Sequence, residues 1–319
     1  MIKLLKRQSF FIISAVVILW IVWGSNAWAT KIAISTIPPL IMSGICFIIA
    51  GVVFLIWSLF RHGSKQILDL RDWKTALIIG IIMLLGGQGA RAWGEQFLTS
   101  GTTSLLFASV PLWVVMVGRI YFKKSVGKNM MLWTAVGLLG AMLLILPIMD
   151  SDIRSFRAAL FLMVGALLWA SGSLYMIKAK HSSLSTISSM SKQMLLGGIM
   201  LTVSGIIIGE LAGFDPSKIS SQSFMGMIYM ITMGSLLGFP VFVWLLQKTS
   251  ELVANSFAFI SPIVAIIMGW RILNESFGIQ IVLGGFILLG SVMMILILES
   301  RPKGNRNLKR FGNKHFLDD

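Results

Sequence analysis

The chain has 319 residues, 56% of them hydrophobic and 12% charged, with a formal net charge of +15. A soluble domain carries about 25% charged residues, and the mean hydropathy here is +0.86, so a soluble globular protein is excluded and lipid must solvate the apolar surplus. The positive charge does not point to nucleic acid, because the basic residues sit in short caps between apolar stretches and in the tail.

The hydrocarbon core of a bilayer is about 30 Å thick, which takes roughly 20 apolar helical residues to cross. Ten stretches satisfy this: 10–30, 38–60, 75–94, 100–122, 130–149, 157–177, 188–211, 224–247, 253–271 and 277–298. They are continuously apolar, whereas a transmembrane barrel alternates in short segments, so helices are expected. The first stretch resembles a signal peptide, and Ala27-Trp28-Ala29 mimics a cleavage site. Its length and the nine spans that follow make it an uncleaved first helix. Cys46, in the second span, is the single cysteine and leaves no intrachain disulfide.

The third span ends with Arg91 and Glu95, four residues apart on one helical face. Ionisable groups this close to lipid are costly and often functional. The pair could gate entry, bind a zwitterion or carry a coupling proton, and the plainer reading is an interfacial ion pair worth about 0–1 kcal/mol. In the preceding Gly86-Gly87-Gln88-Gly89 a phosphate cradle is excluded, since no Lys-Ser/Thr follows. Pro111 in the fourth span and Pro262 in the ninth each free the carbonyl four residues earlier, Phe107 and Ala258. Matched breaks point to a transport site, or to packing kinks alone. Gly234 and Gly238 in the eighth span read as a packing pair.

The second half echoes the first at an offset of 151 residues: Trp93 and Gln96 align with Trp244 and Gln247, and Pro111 with Pro262. Trp23-Gly24-Ser25 resembles Trp169-Ala170-Ser171 at an offset of 146. Each half holds five spans, and an odd number makes the second half enter the membrane from the other side. The expected fold is an all-α membrane protein of ten transmembrane helices, arranged as two inverted five-helix repeats. The expected segments are an N-terminus at 1–9, repeats at 10–149 and 157–298, a linker at 150–156 outside the cell, and a basic tail at 299–319. With the N-terminus in the cytoplasm, 21 of the 27 Lys and Arg residues fall on the cytoplasmic side, Lys65, Lys180 and Lys192 among them. Both termini are therefore expected inside, in a multi-pass protein of the cell membrane.

Trp20-Ile21-Val22-Trp23-Gly24-Ser25-Asn26, followed by Ile37-Pro38-Pro39-Leu40, resembles the opening of an EamA-type member of the drug/metabolite transporter superfamily. Ser261-Pro262-Ile263-Val264-Ala265, leading to Asn274-Glu275-Ser276, resembles the repeat's closing signature. The likeness spans residues 10–298 and implies a ten-helix fold with a central cavity that exports or exchanges metabolites. The sequence departs from the pattern at Cys46, near which the family often has Arg, and at Lys124, which stands where the second repeat keeps Glu275.

The candidate substrate-binding residues are Trp23, Asn26, Gln88, Trp93, Ser109, Trp169, Ser173, Tyr175, Trp244, Gln247, Asn255 and Ser261. The candidate gating or coupling residues are Arg91, Glu95, Pro111 and Pro262. Tryptophan also collects at membrane interfaces and intramembrane hydroxyls also bond between helices, so each has a structural alternative. No ATPase motif or HExxH occurs, and the three histidines lie in caps or tail. The expectation is a secondary exporter of a small metabolite, amino acid or drug-like solute, with lipid around it, protons as candidate coupling ion, no cofactor and no catalysis. A lipid-modifying membrane enzyme and a non-transporting sensor are the alternatives.

Overall fold

The computed structural model describes residues 2–63, 70–149, 152–179 and 186–300. The expected basic tail beyond residue 300, the cap residues Lys65 and Lys180, and positions 150 and 151 of the linker lie outside the described residues.

Among the described residues ten helices are long and apolar enough to cross a membrane: α1 (Phe10–Ala33), α2 (Pro39–Arg61), α3 (Asp72–Gly94), α4 (Ser100–Ile120), α5 (Lys128–Met149), α6 (Ile153–Lys178), α7 (Thr186–Ile207), α8 (Ser221–Lys248), α9 (Glu251–Leu273) and α10 (Ile279–Ser300). Side-chain oxygens start several of them. Thr99, Asp152, Ser220 and Ser250 accept from backbone N–H groups of the first turns of α4, α6, α8 and α9, donors that lipid could not satisfy. Helix α7 stops at Ile207, short of the expected 211, because Gly209 and Gly213 take positive φ and turn the chain. Beyond it, the half-buried Glu210 carboxylate accepts from the backbone N–H groups of Leu40 and Ile41 and so caps α2 from the other repeat.

Helix pairing follows the inversion. Helix α2 packs along α7, and α5 along α10. The α1–α9 pair is matched by α6–α4, and the α1–α8 pair by α6–α3. Helix α4 has 78% of its most apolar window buried and α10 only 33%, so α4 is central and α10 faces lipid. Exposed Phe60 and Phe286 belong to that outer surface.

Two features break the regular helices. In α3, residues Gly80–Gln88 form a π-helix, and in α8 Met230–Gly238 do the same, 150 residues later. Such wide turns are rare and concentrate at functional sites. In α4 the helix is interrupted at Ala108 and Ser109, just before Pro111. In α9 the interruption falls at Asn255 and Ser256, while Pro262 lies inside the continuing helix. The matched prolines therefore do not mark matched breaks. Side chains place them instead: Ser109 Oγ donates to the Leu106 carbonyl, and Asn255 Nδ2 to that of Glu251, competing with the helical ladder.

The inverted offset also appears in ties across the bundle. Glu275 follows α9 and accepts from Ser100 N–H at 2.9 Å and Ser100 Oγ at 2.7 Å, capping α4. At the opposite face, the positions 151 residues away are Lys124, after α4, and Glu251, at the start of α9, and these two form an ion pair. The departure at Lys124 is thus a charge-swapped version of the same tie. Lys192, expected among the cytoplasmic cap charges, instead lies within α7, fully buried, 3.5 Å from the equally buried Asp72 of α3 and over the Trp73 ring.

Candidate functional site

Trp23 and Trp169 sit at matched places in α1 and α6, and the inversion brings them together edge to face, with centroids 5.6 Å apart. Phe242 of α8 and Phe257 of α9 close around them, at 5.2 and 4.4 Å from Trp23. The glycines of the π segments permit the approach. A methyl at Gly87 would lie 3.1 Å from the Trp169 side chain, and one at Gly238 would collide with the Trp23 indole nitrogen. Each indole N–H is held: Trp23 Nε1 donates to the Gly234 carbonyl at 3.4 Å, and Trp169 Nε1 to Asn255 Oδ1 at 3.2 Å. Asn255 in turn donates to Ser173.

Two small adjoining cavities open on this cluster and share Trp23, Asn26, Gln88 and Trp169. One reaches Cys46, Ser43 and Phe239, the other Arg91, Phe107 and Phe257. A water's centre has about 20 Å³ to move in within the first and about 10 Å³ in the second. That holds roughly a single water, so the chamber is closed around almost nothing. Asn26 Oδ1 is buried there without a hydrogen-bond partner among the described residues. Chemically the chamber offers aromatic faces, two primary amides and one guanidinium.

The guanidinium belongs to a charged cluster at the end of the bundle away from the N-terminus. Arg91 is 7% exposed and lies over the Phe107 ring, 5.7 Å from its centroid. Its Nε is 3.5 Å from Glu95 Oε1. That contact lacks hydrogen-bond geometry: Arg91 Nε and both Glu95 carboxylate oxygens are buried without a hydrogen-bond partner among the described residues. Lys31 of α1 donates to the backbone carbonyls of Glu95 and Leu98. Burial pushes the Glu95 carboxyl, one residue beyond α3, up to about 7 against the opposing pull of Arg91 and Lys31. The Arg91–Glu95 pair is thus buried among the helices.

Of the residues singled out in the sequence, Trp23, Asn26, Gln88, Trp169 and Arg91 line the chamber, and Asn255 and Ser173 stand behind Trp169. The others lie elsewhere. Trp93 packs on Phe97 and Phe161, Ser109 bonds within α4 and to Met163, and Gln247 is exposed and pairs with Thr186. Trp244 and Tyr175 are half-buried against the core, and Ser261, Pro111 and Pro262 are buried outside the chamber lining. Unanticipated lining residues are Ser43, Ser235, Phe107, Phe239 and Phe257. Gly87 and Gly238, 151 residues apart, stand at corresponding places in the two π segments.

The model of the EamA-like transporter family matches residues 10–146 and again 156–297. The inner membrane transporter YedA of Escherichia coli K12, itself uncharacterized, is 27% identical over 271 residues, covering 85% of each chain. The uncharacterized transporter YoaV of Bacillus subtilis is 26% identical over 288 residues, covering 89% of this chain and 96% of that one. A chloroplastic WAT1-related protein of Arabidopsis thaliana is 23% identical and covers 89% of this chain. A crystal structure of another protein superposes with a TM-score of 0.64 over 90% of this chain and 99% of its own, at 15% identity, and has the same fold.

Proposed function

The chain belongs to the EamA-like transporter family, and from that premise we propose that it is a secondary carrier that exports a small solute by alternating access to the Trp23–Trp169 chamber. One observation carries this reading: the chamber lies where the two inverted repeats meet, and a π segment from each repeat forms part of its wall. Exchanging the conformations of two inverted halves turns an opening on one face into an opening on the other. The solute has an apolar or aromatic body, which stacks between the indoles, and a polar group within reach of Asn26 and Gln88. Residues 10–149 and 157–298 are the two repeats whose conformations exchange, with residues 150–156 as linker, and both ends of the chain face the cytoplasm by the bias of basic residues.

Liposome reconstitution tests the carrier reading. Purified protein facing a panel of labelled metabolites, amino acids and amphipathic drugs should move at least one of them faster than empty vesicles, and Trp169→Ala should abolish the difference. Folded protein that moves no member of a broad panel refutes it.

A further inference from the structure

The cluster at Arg91 is more specific than the chamber alone requires. A buried guanidinium normally engages its carboxylate through two parallel hydrogen bonds. Here Arg91 instead holds Glu95 at 3.5 Å through Nε, and neither carboxylate oxygen has a hydrogen-bond partner among the described residues. The same Arg91 lines the chamber with Trp23, Gln88 and Trp169. A cation that faces the solute space and is only loosely attached to its internal anion is free to exchange that anion for another.

The charges of the cluster limit what the exchange allows. Arg91 lies on the last turn of α3 and Glu95 just beyond it, Lys31 faces Glu95 from α1, and Glu275 faces it from the segment after α9. With all four ionised the cluster is neutral. Adding an anionic solute leaves one surplus negative charge in a buried site, which is strongly disfavoured. Of the two carboxylates, Glu275 is engaged by two donors of Ser100, while Glu95 is engaged by none. Glu95 is therefore the group that takes a proton from water as the solute carboxylate replaces it at Arg91. The balance is one carboxylate and one proton in, with no net charge gained.

Resting on the carrier reading above, we propose that Arg91 is the carboxylate anchor of the chamber and Glu95 its exchangeable counter-ion, so that the solute is a monocarboxylate with an apolar body, bound together with one proton. The aromatic faces take the body, Arg91 takes the carboxylate, and Asn26 and Gln88 lie between.

The sign of the pH dependence follows. The proton binds more tightly to Glu95 in the loaded state than in the empty one, where its carboxyl sits at about 7. Affinity is then flat below that value and falls by up to about tenfold per pH unit above it. The test is calorimetric titration of the full chain in nanodiscs, with empty nanodiscs subtracted, using 3-phenylpropanoate and the neutral, equally shaped 3-phenylpropanamide. The acid should bind at least about tenfold tighter than the amide. Titration in buffers of different ionisation enthalpy should count protons taken up per acid bound, rising from near zero at about pH 6 toward one at about pH 8. Arg91→Gln should erase the preference for the acid, Arg91→Lys should retain part of it, and Glu95→Gln should keep it while flattening the pH dependence. If the amide binds as tightly as the acid, or if no proton is taken up across this range, the inference is overturned and the carrier reading stands. If folded protein binds neither, the anchor inference is overturned as well, while the carrier reading is decided by the flux panel.

Discussion

Replacing Lys192 by methionine isolates the buried ion pair between α3 and α7. The Lys192 side chain is 0% exposed and that of Asp72 1%, with Nζ 3.5 Å from Oδ2 and over the Trp73 ring, 5.6 Å from its centroid. Lys192→Met removes the cation that faces a carboxylate held away from water. Breaking a buried pair in this way costs about 3–5 kcal/mol, a shift of roughly 10²- to 10⁴-fold in the folding equilibrium. The cation–ring contact contributes about 0.5–2 kcal/mol of this. Lys192→Met combined with Asp72→Leu removes both charges, and apolar replacement of a whole buried pair is often neutral or stabilising. The double variant should therefore recover most of the loss, with a coupling energy of about 2 kcal/mol or more in the double-mutant cycle. Reversible unfolding in bicelles, followed by tryptophan fluorescence, measures all four proteins. If Lys192→Met and the double variant both unfold within about 1 kcal/mol of the parent, Lys192 reaches water along its own stem and the burial argument is wrong.

Further expectations concern the chamber and its ties. Gly238→Val places two methyls against the Trp23 indole and should lower stability by about 1–3 kcal/mol, as overpacking does; Gly290→Val, with open space around it, is the control in the same unfolding assay. Glu210→Ala leaves the first turn of α2 uncapped and should lose about 0.5–2 kcal/mol, while Glu210→Gln, which keeps one acceptor, should lose less. Deleting one residue from Met230–Gly238 removes the additional residue of the wide turn, so an ordinary helix takes its place with Phe239 and Phe242 kept near their register. The wall that Gly234 and Ser235 give the chamber is then lost, so solute flux should vanish while the protein still folds, as judged by size exclusion and circular dichroism.

The architecture was legible in the sequence because lipid leaves the chain few choices. Every span must be apolar and helical, and the shared offset at Pro111 and Pro262 exposes the duplication. The site was legible only where a residue's neighbours disclosed its surroundings. Trp23 and Trp169 sit among small and polar residues on central helices, and they meet. Trp93, Trp244 and Gln247 repeat equally well, but their repetition marks helix ends rather than a shared space. Ser43, Ser235 and Phe257 look like any other span residues, since tertiary packing alone turns them inward. Lys192 reads as a cap charge in the sequence because its partner, Asp72, is 120 residues away and lies beyond any local window. The π segments escaped because one additional residue per wide turn leaves no periodic mark in a uniformly apolar stretch.

On the proposed mechanism the chamber opens to each face in turn, and the single native cysteine reports it. Cys46 is buried and lines the cavity beside Trp23, so an impermeant maleimide reaches it only through an open path. Two engineered links hold the faces separately: Ser100→Cys with Glu275→Cys on one, Lys124→Cys with Glu251→Cys on the other. With the first pair oxidised, Cys46 should react only with reagent added to the Lys124 face; with the second, only from the Ser100 face; reduction should restore both. Labelling that stays the same from both faces whichever pair is linked would contradict alternating access around this chamber.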